Sequence, residues 1–316
     1  GAVRDGLYPG GAVTVRAFSP QLFRAVGVAD PRTGERVRGE TYFDVASLTK
    51  PVVTATVASV LVAEGRLSWD DRVTATATVD DLLKHRAPMP ANFDWRALEA
   101  AAGEGEGVST FELGQRVLGA QDPSSFHRSY GNAGYFLLGA FLEEQAGQPL
   151  GDLVGGEPYR SGAIYASYHP QPYFDCARVA GDVAPGTPFD PLASWAQATR
   201  RPAGHSGLFA SAGQIDSWTS LAMSPQGDAW APALFELDSP TATRSRAFEV
   251  VPRRDGTGLA FRHTGYTGCV MWLDPERQLS LVLLTNRGGN HTAAWDRHVE
   301  ELVNELERGW ANRPSR

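Results

Sequence analysis

The sequence predicts an α+β fold: one antiparallel sheet built from both ends of the chain and flanked by helices, with a mostly helical insertion between. Three observations lead there. Strand-like alternation is confined to the first 30 or so residues and to the stretch after Gly258. The middle carries helix caps and 3.6-residue apolar spacing. A helix that is apolar on nearly every side follows Pro51 (Val52, Val53, Ala55, Val57, Ala58, Val60, Leu61, Val62), and such a helix belongs at the centre of a fold. Residues 1–66 and 205–316 are expected to form the sheet unit and 67–204 the helical unit, with a cleft between them.

The elements follow in order. Gly11 to Ala17 and Leu22 to Val28 read as strands joined through Ser19-Pro20. Val52 to Glu64 reads as a helix that Gly65 ends. Pro51 is tolerated only in a first turn, so Ser47 falls at that helix's N-terminus. Thr78 with Asp81 and Ser109 with Glu112 are spaced as capping boxes, the second before a helix closed by Gly119. Asn132 to Ala146 is apolar-periodic, with Gly147 as its stop. Gly151 to Gln197 is rich in Gly, Pro and Tyr and reads as a long loop. Gly258 to His263 is a strand. Cys269–Leu273 and Leu279–Leu284 form a buried hairpin about Asp274-Pro275-Glu276-Arg277. Trp295, Val299, Leu302, Val303 and Leu306 share one face of a final helix.

Composition narrows the function. The 316 residues are 42% hydrophobic and 21% charged, which suits a globular protein with a large core. A net charge of −7 argues against nucleic acid as the main partner, because phosphate binding needs a basic face. The longest apolar run, near Pro51 to Ala63, suits a buried helix better than a transmembrane span. Cys176 and Cys269 have neither metal nor redox spacing, and the histidines at 85, 127, 169, 291 and 298 show no ligand pattern, so no metal or cofactor is expected. The first residue is Gly rather than Met, which fits a trimmed leader or tag and leaves the compartment open, extracytoplasmic or cytoplasmic. Oligomeric state is not legible.

The chemistry-bearing residues begin with Ser47-Leu48-Thr49-Lys50. A hydroxyl three residues before an amine shares its helix face, and a helix N-terminus favours developing negative charge. Lys50 and Lys84 are the only lysines, and neither follows glycine, which excludes a Walker A loop. Tyr130-Gly131-Asn132 opens the apolar helix, and His263-Thr264-Gly265 ends a strand before Tyr266-Thr267-Gly268. In order and rough spacing, these triplets match the three motifs of serine β-lactamases and penicillin-binding proteins. With Tyr-x-Asn in second place, the chain resembles the branch of class C β-lactamases, D-alanyl-D-alanine carboxypeptidases and esterases. The flanks Phe43-Asp44-Val45-Ala46, Glu64-Gly65-Arg66-Leu67, Asp81-Leu82-Leu83-Lys84-His85, Gly204-His205-Ser206-Gly207-Leu208-Phe209 and Leu273-Asp274-Pro275-Glu276 resemble the subgroup similar to penicillin-binding protein 4B.

The resemblance implies a β-lactamase/transpeptidase-like fold and an acyl-enzyme at Ser47, on a small-molecule ester, amide or peptide substrate. Lys50 would take the serine's proton, burial favouring its neutral form, and Tyr130 would act as base or protonate the leaving group. Asn132, Thr264, Gly265 and Tyr266 would bind substrate, with oxyanion N–H groups from Ser47 and Tyr266. The third motif departs from Lys-Thr-Gly. His263 would be mostly neutral near pH 7.5 and a weak anchor for a substrate carboxylate, which tilts the expectation towards an esterase or weak peptidase. Under this reading His263 faces the substrate, and a lysine there would improve turnover of carboxylate-bearing substrates. Arg86-Ala87-Pro88 and the stretch 180–198 are expected to border the cleft, and His205-Ser206-Gly207 to be a structural turn. The competing expectation is a catalytically silent protein that holds peptide or cell-wall fragments in the same cleft.

Overall fold

The computed structural model describes all residues except 18–20, 104–106, 180, 182, 202, 226–227, 290–291 and 313–316. The connection at Ser19-Pro20 and the side chain of His291 therefore lie outside the described residues. Seven strands form the main antiparallel sheet: β1 Gly10–Arg16, β2 Leu22–Asp30, β3 Glu35–Arg36, β4 Glu249–Pro252, β5 Leu259–Gly265, β6 Cys269–Asp274 and β7 Leu279–Thr285, in the order β3-β2-β1-β7-β6-β5-β4. The first strands thus pair with the last, Gly11 opposite Thr285 and Val15 opposite Leu281.

Alternation in β6 and β7 divides the core. Val270, Trp272, Leu281 and Leu283 face one side, where Trp295, Val299 and Leu306 of helix α9 (Ala293–Ala311) cover them. Met271, Leu273, Val282 and Leu284 face the other and join the larger core with Leu48, Val52, Val53 and Trp218. Every residue of β6 and β7 is buried, as expected of strands covered on both faces. Before α9 in the chain come α1 Thr56–Ala63, α2 Val79–Leu83, α3 Trp95–Gly103, α4 Thr110–Gly119, α5 Ala133–Ala146, α6 Leu150–Leu153, α7 Pro191–Ala198 and α8 Ala212–Ala222.

Several elements differ from expectation. The helix after Ser47 is not a single α-helix: a 3-10 turn (Ala46–Leu48) runs into a π-helical stretch (Lys50–Ala55) before α1 begins. The stretch Ala46–Ala63 is long and apolar enough to cross a membrane by length and composition, yet 78% of it is buried inside the protein, as a core helix would be. The Thr78–Asp81 box forms completely. At Ser109 only half forms: its hydroxyl accepts the Glu112 N–H but donates to Glu144, and α4 runs through Gly119 to a cap at Ala120. The long loop 151–197 contains most of α7, which Asp190 caps through the Ala193 N–H. Both cysteines are free and buried.

Candidate active site

Ser47 sits in the 3-10 turn that follows the short strand Phe43–Asp44, itself paired with Phe209–Ala210. The turn requires Ala46 at φ 47°, a left-handed conformation that costs an alanine of the order of 1 kcal/mol or more. Surrounding bonds hold it there. The Asp44 carboxylate accepts the N–H of Ala46 (2.9 Å) and that of Phe189 (2.8 Å), tying the turn to the far cleft wall. Thr49 donates to the Ala46 carbonyl at 2.7 Å, and Thr267 donates to the Asp44 carbonyl at 2.7 Å. Burial pushes the Asp44 carboxyl up to about 6, against those two N–H groups. Gly265 completes the fit, since a Cβ there would stand 2.7 Å from the Val45 carbonyl oxygen. Glycine at 265 is therefore needed to bring β5 up to the nucleophile turn.

Lys50 is fully buried. Its Nζ lies 3.0 Å from Ser47 Oγ, 2.7 Å from Asn132 Oδ1 and 3.0 Å from the carbonyl oxygen of His205. Asn132 occupies the N-cap position of α5 without capping it through its side chain. Its amide instead spans the gap between Lys50 and Asn92, to which Nδ2 donates at 2.8 Å. Gly131 fits against Ala91, whose carbonyl accepts the Asn132 N–H at 2.6 Å. The Tyr130 ring stands over Lys50, with Nζ 5.1 Å from its centroid.

A cleft of about 740 Å³ opens in front of these groups. Ser47, Tyr130, Asn132, Ser206, Thr264, Tyr266 and Thr267 line its floor and one side; Asn92 to Arg96 and Phe189 to Leu192 line the rest. Thr264 and Gly265 lie on a half-open edge, because β4 pairs only with Leu259–Arg262 of β5. Tyr266 is 45% exposed and stacks on Phe189 at the mouth, ring centroids 5.6 Å apart. Asp190 is also on the wall. Burial would raise its carboxyl, but the bond to His205 Nε2 (3.0 Å), the Ala193 N–H and the nearby Lys50 outweigh this and hold it at about 2.

Three expectations change. His263 is not among the residues that line the cleft. It is 6% exposed, packs behind Tyr130 with ring centroids 6.2 Å apart, and donates through Nδ1 to the Thr264 carbonyl at 3.0 Å. Burial, with the charges of Lys50 and Arg244, pulls it down to about 3, so it is neutral and is no carboxylate anchor. Arg86 does not border the cleft either; it pairs with Asp80 and Asp238 in an ionic cluster that also holds Lys84 and Arg246. The stretch 180–198 does reach the cleft, through Phe189 to Leu192. Finally, the turn at His205 is more than structural. Its carbonyl holds Lys50, and Ser206 lines the cleft.

Two further residues belong to the surroundings of Tyr130. His85 lies against its ring at 4.5 Å and accepts the Gly131 N–H through Nδ1. The Arg244 guanidinium stands 5.3 Å from the ring centroid. His85 was visible in the Leu-Leu-Lys-His segment, whereas Arg244 had no sequence signal. Among the described residues no group of His, Cys, Asp and Glu could hold a metal ion.

Comparison with known proteins agrees with this geometry. The family model described as Beta-lactamase matches residues 2–304. A putative D-alanyl-D-alanine carboxypeptidase of Escherichia coli (strain K12) is 26% identical over 309 residues, covering 78% of this chain and 69% of that protein. The protein named Esterase EstB of Burkholderia gladioli is 27% identical over 215 residues, 54% of each chain. The crystal structure of a beta-lactamase from Sulfitobacter sp. EE-36 superimposes with a TM-score of 0.76 at 18% identity, over 98% of this chain and 95% of that one, which establishes the fold. With a family match over nearly its whole length, and with a putative carboxypeptidase and an esterase among its relatives, the chain belongs to the beta-lactamase family and is a serine hydrolase of the β-lactamase and penicillin-binding-protein type.

Proposed function

We propose that Ser47 is the nucleophile of an acyl-enzyme mechanism directed at small neutral esters or amides. The observation that supports this most is the buried Lys50 amine, 3.0 Å from Ser47 Oγ and fixed by Asn132 and the His205 carbonyl. As Oγ attacks, its proton passes to Lys50 and a bond forms to the substrate carbonyl carbon. The C–O or C–N bond to the leaving group then breaks, and the leaving atom departs with a proton delivered through Tyr130. Water attacks the acyl ester by the reverse proton path and frees Ser47. Backbone N–H groups of Ser47 and Tyr266 receive the oxyanion, and Asn132 and the half-open edge at Thr264 and Gly265 align the substrate.

Two features favour neutral substrates. The third-motif side chain is buried and uncharged. The cleft wall presents an aromatic and apolar surface (Phe93, Trp95, Phe189, Pro191, Leu192, Tyr266) beside three charged residues: Arg96 is paired with Asp94 at 3.9 Å, and the anionic Asp190 repels a substrate carboxylate.

Labelling with a fluorophosphonate probe tests the nucleophile. Wild type is expected to label and Ser47→Ala not to; labelling absent from wild type, or retained in the variant, overturns the mechanism. A parallel panel of p-nitrophenyl butyrate, a chromogenic cephalosporin and a D-Ala-D-Ala peptide tests the substrate class. The ester is expected to lead in kcat/KM by at least about 10-fold, a 1.4 kcal/mol preference. A higher value for either carboxylate-bearing substrate reverses the preference.

A further inference from the structure

The first position of the third motif, a lysine in the Lys-Thr-Gly pattern, holds a buried histidine here. A different cation approaches Tyr130 from the outer side of β4. Thr243 and Arg244 pair with Val250 and Glu249 in a tight hairpin whose Ser245 N–H meets the Phe248 carbonyl at 3.0 Å. From this hairpin the half-buried Arg244 side chain reaches the Tyr130 ring. Tyr130 thereby has the Lys50 amine 5.1 Å and the Arg244 guanidinium 5.3 Å from its ring centroid, and Arg244 is the one of the two that the proton transfer leaves charged throughout. The other titratable groups around it are His85, His263 and Tyr135. Both imidazoles are held neutral, burial being the main cause and Lys50 and Arg244 adding to it.

No carboxylate among the described residues lies within ion-pair distance of Arg244, although its hairpin neighbour Arg246 is paired with Asp80 and Glu236. Its charge is therefore available to Tyr130. From these contacts we infer that Arg244 replaces the lysine missing from the third motif, stabilising negative charge on the Tyr130 phenol oxygen while that tyrosine passes the proton. Arg244 is outside the residues that line the cleft. It acts through Tyr130 rather than on the substrate, and so is a positioning residue. A cation placed there favours the charged intermediate without creating an anchor for a substrate carboxylate, which fits a neutral-ester specificity.

The inference rests on the acyl-enzyme reading, and one experiment separates the two. Wild type, Arg244→Gln, Arg244→Lys and the double variant Arg244→Gln/His263→Lys are assayed with p-nitrophenyl butyrate after fluorophosphonate labelling of wild type. Arg244→Gln is expected to lose about 10- to 100-fold in kcat with KM changed less than about 2-fold, the range of a partial loss of general acid–base catalysis. Arg244→Lys is expected to recover most of that loss, because it restores the charge. The double variant is a second route to the same charge, and recovery in either suffices. A wild type that does not label overturns the hydrolase reading and this inference with it. A labelling wild type with an unchanged kcat in Arg244→Gln, a loss that falls mainly on KM, or a loss that neither lysine variant recovers overturns the inference alone.

Discussion

The buried imidazole of His263 makes the protein's response to mild acid predictable. In the folded chain His263 is held at about 3 against an ordinary value of 6.5. The unfolded chain therefore takes up a proton that the native state refuses. Stability from this group is full above the unfolded value and is lost as pH falls from there through about 3. Going from about pH 7 to about pH 4.5 costs roughly 2–3 kcal/mol, since each pH unit below the unfolded value is about 1.4 kcal/mol. Asp44 works in the opposite sense. Burial raises it from 3.8 to about 6, so over the same interval the native state binds the extra proton and gains about 2 kcal/mol. The two nearly cancel in the wild type, and His85, shifted downwards like His263, tips the sum towards acid destabilisation. In His263→Asn, whose amide can replace the bond to the Thr264 carbonyl, the histidine contribution vanishes and that of Asp44 remains. Urea unfolding at the two pH values, followed by tryptophan fluorescence, measures the difference. The variant is expected to change stability between the two pH values by roughly 2–3 kcal/mol more favourably than wild type. Equal pH dependence in the two proteins refutes a buried neutral histidine at this position.

Two other perturbations probe how the site is held. Gly204→Ala would place a methyl group 2.8 Å from both the Gly139 Cα and Thr54 Oγ1, where α5 passes closest to the segment that carries His205. It is expected to destabilise by about 1–3 kcal/mol and to lower kcat as the His205 carbonyl shifts from Lys50; unchanged melting and turnover would contradict this packing. Arg246→Met is expected to cost about 1–2 kcal/mol, because Asp80 loses its 2.7 Å bond to Arg246 Nε in a partly buried setting while Lys84 and Arg86 still pair with it. Asp238→Asn, at a carboxylate 46% exposed, should cost less than about 1 kcal/mol, and similar thermal shifts for the two would show the cluster to be uniformly weak.

Much of the fold was readable because its signals are local. The alternation in β6 and β7 and the stripe Trp295, Val299, Leu306 each state which face is buried, and pairing the outermost segments follows once the middle is helical. The π-helical stretch at Lys50–Ala55 was not readable. Pro51 marks a first turn but says nothing of the winding that follows it, which is set by the packing of Lys50 and Thr54 against the segment Gly204–His205. The half-made box at Ser109 has another cause: the Glu112 carboxylate that would accept the Ser109 N–H is engaged by Arg116 at 2.6 Å instead.

The site divides along the same line. Ser47, Lys50, Tyr130 and Asn132 announce themselves because their chemistry is in the side chain and their spacing is in the motif. The His205 group that fixes Lys50 is a backbone carbonyl, which every residue has, so composition carries no trace of it. Arg244 is one of 27 arginines among the 29 basic residues, and only the hairpin that sets it over Tyr130 distinguishes it. His263 misled in the opposite direction, since a conspicuous residue type in a motif position invites a role facing the substrate. Its burial behind Tyr130 moves the question of charge from the motif to its surroundings. On the inference drawn from the ring contact alone, the charge absent from the motif is supplied to Tyr130 by Arg244, 19 positions earlier in the chain than His263.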